Sequence, residues 1–173
     1  MILKPYQLSN LTEDKFSFFL LYGQNEGQKN DATLQILKSG NNENVYRYDE
    51  DELLNNYANF VSEISNKSFF EDKKIVVISR VTEKILTLFK DVEKRKIEDI
   101  KIIINSKQLD KKSKLRLYFE KEKNLVCIAF YNDDNTTLVN IAGKFFAKNK
   151  ILISREMLNL LVERCRGDRI NLK

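Results

Sequence analysis

The sequence predicts an α/β fold, a five-stranded parallel sheet with helices on both faces, followed by part of a smaller all-helical module. Two observations predict the sheet. Short β-branched runs alternate with amphipathic helical stripes from Lys15 to Phe130, and the run Ile75, Val76, Val77, Ile78 is unbroken, as expected of a strand covered on both faces. A third predicts the second module: after Asn132-Asp133-Asp134-Asn135 the strands cease and only helical stripes remain.

Taken in order, Lys15 to Tyr22 (K-F-S-F-F-L-L-Y) reads as the first strand, running into a turn-rich segment that begins at Gly23. A helix over Gln28 to Lys38, with a modest apolar face, stops at Ser39-Gly40-Asn41-Asn42. Asn44 to Tyr48 alternates as a half-exposed strand would. The strongest helical stripe follows, over Glu52 to Asn66: Leu53, Leu54, Tyr57, Phe60, Val61 and Ile64 fall on one face. Next come the strand from Lys74 to Ser79, a helix capped by Thr82 with Ile85, Leu86, Leu88, Phe89 and Val92 inward, and a strand over Ile100 to Asn105. A basic helix over Lys112 to Lys121 precedes the last strand, Leu125 to Phe130. The predicted boundary divides residues 1–132 from 133–173, where Thr136 to Lys148 and a helix capped by Ser154 make a helical module that the pattern leaves unfinished at Lys173.

The composition of 42% hydrophobic and 32% charged residues is that of a globular chain. Its net charge of +5 arises from 30 bases among 25 acids, the mixed-sign surface of a solvated domain. No apolar run approaches the roughly 18 residues of a membrane helix, and Met1-Ile2-Leu3-Lys4-Pro5 is not a signal peptide. A cytoplasmic protein with no membrane partner is expected. With no histidine, the commonest general base and metal ligand is missing. Cys127 and Cys165, in apolar patterns of different modules, read as unpaired packing residues.

A parallel sheet of this kind binds ligands beyond the carboxyl ends of its strands, first at the turn after its first strand. That turn, Gly23 to Asn30, superficially resembles the phosphate loop G-x-x-x-x-G-K-[ST], but it is one residue short, its lysine does not follow the second glycine, and Asn30 stands where a magnesium-binding hydroxyl is required. Nor does an acid end the Ile75 or Ile102 strands to hold Mg²⁺. No nucleotide binding, no cofactor and no metal are expected. Lys111, Lys112, Lys114 and Arg116, beside Tyr118 and Phe119, are candidates for DNA backbone contact or simply the wet face of a helix. Phe69 and Phe70 stand between a striped helix and a strand, among Lys67, Ser68, Glu71 and Asp72, where a connection is normally polar. Adjacent residues at a helix end point about 100° apart, so burying both inside one domain is awkward and a partner is implied.

Together these segments resemble the delta subunit of the bacterial DNA polymerase III clamp loader. The resemblance rests on F-F-L-L-Y-G entering a degenerate nucleotide loop, on S-F-F-E-D-K-K-I-V-V-I-S-R, on Gln108-Leu109-Asp110-Lys111-Lys112-Ser113-Lys114-Leu115, and on Ile153-Ser154-Arg155-Glu156 with the later Leu160-Leu161-Val162-Glu163-Arg164 and Gly167-Asp168. It spans nearly all of the chain but only the N-terminal part of the family's architecture, an AAA+-like domain and part of a helical lid, without the C-terminal collar domain. It implies a subunit without catalysis of its own, within the DNA-directed DNA polymerase III holoenzyme, a nucleotidyltransferase complex. That subunit binds the ring-shaped sliding clamp (beta) and favours its opened form during DNA replication, while gamma/tau and delta prime are its partners in the loader. It also implies that Lys67, Ser68, Phe69, Phe70 and Glu71 form the clamp-binding wedge, with Phe69 in place of the more frequent Leu. A nucleic-acid-binding AAA+-like module and a nucleotide-driven P-loop enzyme are the alternative readings.

Overall fold

The computed structural model describes residues 1–11, 16–38, 45–66 and 74–172. Among them the strands are β1 (Ile2–Leu3), β2 (Phe18–Gly23), β3 (Val45–Asp49), β4 (Lys74–Val81), β5 (Ile100–Ser106) and β6 (Leu125–Phe130). They form one sheet in the order β1-β6-β2-β5-β4-β3, with every pair parallel. The helices are α1 (Glu26–Lys38), α2 (Glu50–Asn55), α3 (Tyr57–Ser65), α4 (Ile85–Lys94), α5 (Lys114–Lys121), α6 (Asn135–Lys148) and α7 (Arg155–Cys165), with a 3-10 turn at Pro5–Asn10.

The unbroken apolar runs follow from burial on both faces. Successive strand side chains point to opposite sides, so Val76, Ile78, Ile102 and Ile104 enter one cluster with Leu53, Phe60, Phe89, Leu115 and Phe119 of the covering helices. Ile75, Val77, Ile103, Val126 and Ile128 enter the other, with Ala32, Ile36 and Leu37 of α1 and Leu8 of the 3-10 turn. β3 lies at the sheet edge, and its side chains are half-buried or exposed.

Four sequence expectations are corrected. The described sheet has six strands rather than five, because Ile2 and Leu3 pair with Cys127 and Ile128. Two residues ahead of a proline are too short to show a strand period, and only the partner strand makes them one. The stripe over Glu52 to Asn66 is not a single helix. It breaks at Asn56 (φ −123°, ψ 35°), where two consecutive asparagines, whose side chains compete for backbone hydrogen bonds, interrupt it. Leu53, Phe60 and Ile64 still share the inward face across that break. Third, α4 begins at Ile85 and its N-cap position is Lys84 rather than Thr82. The Thr82 Oγ1 accepts from Lys84 N at 3.3 Å, while the buried Glu50 carboxylate accepts from Thr82 N (2.9 Å), Thr82 Oγ1 (2.6 Å) and Ile85 N (3.1 Å). Finally, α5 starts at Lys114 rather than Lys112, with Ser113 Oγ accepting from Arg116 N. No described helix is long and apolar enough to cross a membrane.

Candidate functional site

β2 is flanked by β5 on one side and β6 on the other. The chain leaves it for α1 and then β3, beyond β5 and β4, so the turn after β2 stands where the strand order divides and a ligand crevice opens. Gly23 makes the turn possible. At φ +132°, a Cβ there would lie 2.0 Å from Phe130 O, so no side chain fits. Asn25 then caps α1, its Oδ1 accepting from Gln28 N at 2.9 Å while its amide donates to Tyr131 O (3.1 Å) and Asp133 Oδ2 (2.9 Å). The lysine that sequence reasoning found misplaced, Lys29, is 3% exposed and points inward. Its Nζ donates to Ser106 O at the end of β5 and to Glu26 Oε1, both at 2.7 Å.

A phosphate would need a cation and free backbone N–H groups at this helix start. Here the cation is committed to Glu26 and Ser106, and the N–H groups of Asn25, Glu26 and Gln28 donate to Phe130 O, Gln24 O and Asn25 Oδ1. Asn105 Oδ1, at the end of β5, is buried without a hydrogen-bond partner among the described residues.

A second segment lies over the same turn. After α7 the chain reverses through Arg166 (φ 48°) and Gly167 (φ 79°), a left-handed helix ending. This returns Arg169 to the sheet, where its Nε and Nη2 donate to Asp133 Oδ2 and Oδ1 at 2.8 and 2.7 Å and its Nη1 lies 3.4 Å from Asp31 Oδ2. Burial works against the charge of the guanidinium, yet Asp133 and then Asp31 hold its pKa above the ordinary value. Ile170 sits so close to α1 that a Cβ on Gly27 would lie 3.1 Å from its Cγ1 and 3.2 Å from Arg169 Cβ.

Of the candidate DNA contacts, Lys111, Lys112 and Lys114 are exposed around the start of α5. Arg116 turns inward, its Nε donating to Glu120 at 2.7 Å and its guanidinium lying 5.2 Å from the centre of the Tyr22 ring. Glu120 raises its pKa. The expected clamp-binding residues, Lys67, Ser68, Phe69, Phe70 and Glu71, lie outside the described residues. The ends of the connection they belong to are drawn together, because Lys74 Nζ donates to Glu63 O at 2.7 Å and to Asn66 O at 2.5 Å. Sequence reasoning missed Arg169 with Asp133, and Glu50. The first pair is 36 positions apart and carries no local signal, whereas Glu50 stands in the acidic first turn of α2, and its reach to the start of α4 exists only once the chain is folded.

No family model and no curated protein matches the sequence. Solved structures do match. The DNA clamp loader delta protein of Bacillus subtilis superposes with a TM-score of 0.62 at 12% identity over 96% of this chain and 53% of its own. Domain III of the Thermotoga maritima replication initiation protein DnaA gives 0.52 at 14% identity, over 97% of this chain and 76% of its own. The Thermotoga maritima RuvB Holliday junction branch migration motor gives 0.57 at 13% identity, over 96% and 54%. The likeness is one of fold, and the chain spans about half the length of the delta protein it resembles.

Proposed function

We propose that this chain is the clamp-binding portion of a clamp-loader delta subunit, engaging the DNA sliding clamp and favouring its opened form without binding or hydrolysing ATP. The observation that carries the proposal is the closed turn after β2. In a fold shared with a Holliday junction branch migration motor, the lysine is spent on Glu26 and Ser106 and the chain's own Ile170 covers Gly27. Such a domain is suited to binding rather than to turnover, and the fold likeness to a delta protein agrees with the S-F-F-E-D segment between α3 and β4. Phe69 and Phe70 are the anchors of this reading. Aromatic side chains seated in apolar pockets are typical hot spots, each costing about 2 kcal/mol or more on truncation. A wedge that fits the opened clamp better than the closed one shifts the ring by that difference in affinity alone.

The double variant Phe69→Ala, Phe70→Ala is expected to weaken clamp binding at least ~30-fold, about 2 kcal/mol, with the thermal transition nearly unchanged. Unaltered affinity, or loss of the fold, would place the pair in the core and the site elsewhere. Titration calorimetry with ATP and Mg²⁺ is expected to give no saturable heat. Tight binding lost in Lys29→Ala would return the chain to the enzyme class. Strongly salt-dependent DNA affinity without a clamp, lost on replacing Lys111, Lys112 and Lys114, would instead favour the nucleic-acid reading.

A further inference from the structure

The turn beyond α7 makes polar contacts that the proposed clamp binding does not use. Arg169 has a side chain only 12% exposed and Asp133 one only 5% exposed, and they form a two-pronged ion pair. Asp133 belongs to the short linker between β6 and α6, whose last residue, Asp134, caps α6 by accepting from Thr137 N at 2.7 Å. The Asp133 carboxylate also accepts from the Asn25 amide of the turn after β2. Three segments far apart in sequence therefore meet on one carboxyl group: the start of α1, the linker, and the chain that follows α7. Arg169 extends the network to Asp31, 138 positions away on α1. Ile170, packed against Gly27, is the apolar contact of this junction.

A four-residue linker between a sheet and a helical pair is a natural place for the pair to swing, since hinge motion is absorbed by a few residues at element ends. Here the linker is pinned by Asn25 on one side and by Arg169 on the other. We infer that the segment Asp168–Leu172 is a built-in clasp, which fills the mouth of the turn after β2 and, through Arg169 on Asp133, sets the angle of the α6–α7 pair on the sheet with no ligand required. Because the pair is largely buried and bidentate, it is strong and poorly screened by salt. Removing one partner leaves the other a buried charge with only its weaker contact, Asp31 for Arg169 or the Asn25 amide for Asp133, which drives the junction open rather than merely weakening it. The clasp holds whatever partner the chain binds, so its test is independent of clamp affinity.

Spin labels placed through cysteines at exposed Thr87 on α4 and Asn159 on α7 report the angle as a distance distribution. Both native thiols are buried and stay unlabelled. The parent is expected to give one narrow distance. Arg169→Ala and, from the opposite side, Asp133→Asn should each broaden it into at least two populations, and Arg169→Lys, which keeps the charge but not the fork, should broaden it less. Melting curves are recorded on the same samples. Narrow distributions in all three variants would show that the angle is set elsewhere. Broadening found only where the cooperative melting transition is also lost would reduce Arg169 to a stability residue. Either result overturns the clasp.

Discussion

The sheet with its covering helices and the α6–α7 pair both carry apolar side chains to be covered, yet they finish burial very differently. Leu20, Leu21, Ile103 and Ile104 of the sheet are 0% exposed, whereas Leu152, beside α7, is 100% exposed and Phe145 and Met157 are more than half exposed. α7 buries Val162 and Cys165, while Met157, Leu160 and Leu161 face outward among Arg155, Glu156, Asn159, Glu163 and Arg164. Where area is plentiful, as in the sheet, no single polar contact decides the arrangement. Where it is scarce, as in the helical pair, the few polar anchors around Arg169 carry more of it.

The sharpest way to break this contrast is to truncate one residue from each region. Ile103→Ala removes a side chain that is fully enclosed in the cluster facing α1, and should cost about 2 to 5 kcal/mol of unfolding free energy through lost transfer and a residual cavity. Leu160→Ala, at 48% exposure, should stay within about 0.5 kcal/mol. Urea unfolding measures both, and equal costs would mean that the two regions are equally well packed. Next in size is Glu50→Ala, which strips the acceptor from Thr82 N, Thr82 Oγ1 and Ile85 N at the buried start of α4. Hydrogen bonds to a charged group and donors left buried without partners suggest a loss of about 2 to 3 kcal/mol. A change under ~1 kcal/mol would show that water replaces the carboxylate.

How much of this was legible in the sequence depended on whether the cause was local. Alternating faces and unbroken β-branched runs are local, so β2, β4, β5 and β6 were found with bounds close to those observed, and Ser154 was recognised as the cap it is, accepting from Met157 N. That the turn after β2 departs from the phosphate-loop spacing was legible in the sequence. That Lys29 would be consumed by Ser106, 77 positions on, was not, because the contact exists only once β2 and β5 are paired. The same reason hid β1, which is a strand only beside β6, and the meeting of Arg169 with Asp133. Asn56 is the opposite case. Its helix-breaking character was present in the sequence but was outweighed by the continuous stripe around it.

Alkaline pH tests the sheet side of the comparison more gently. Burial pushes the Cys127 thiol from an ordinary 9.0 up to about 12. It also pushes the Tyr22 hydroxyl from 10.0 up to about 12, against the opposing pull of Arg116. Both are acids that stay neutral in the folded chain while the unfolded chain ionises. The unfolded state therefore binds fewer protons between the two pKa values, and stability is full below pH 9 and falls as the pH rises toward about 12. Each group contributes a slope of about 1.4 kcal/mol per pH unit within its window. Urea midpoints should begin to fall near pH 9 in the parent and only near pH 10 in Cys127→Ala. An unchanged onset in that variant would assign the loss to other groups.

The smallest expected effect is the most informative about the clasp. Gly27 lies in the first turn of α1, where replacing glycine by alanine favours a helix by up to about 1 kcal/mol. In the parent that gain is opposed, because the new methyl would stand 3.1 Å from Ile170 Cγ1, 3.2 Å from Arg169 Cβ and 3.3 Å from Ile170 N. One of those atoms is backbone held by the ion pair to Asp133, so the turn can yield only by straining it. Gly27→Ala is thus expected to change stability by less than about 0.5 kcal/mol in the parent. In an Arg169→Ala background the turn is free to move away, and the same substitution should stabilise by about 0.5 to 1 kcal/mol. The difference between the two backgrounds is a coupling energy, read from a double-mutant cycle, and neighbours that share a contact couple by at least about 0.5 kcal/mol. A cycle that closes to zero would mean that Ile170 and Arg169 do not bear on α1, and that the turn beyond α7 lies against the sheet without holding it.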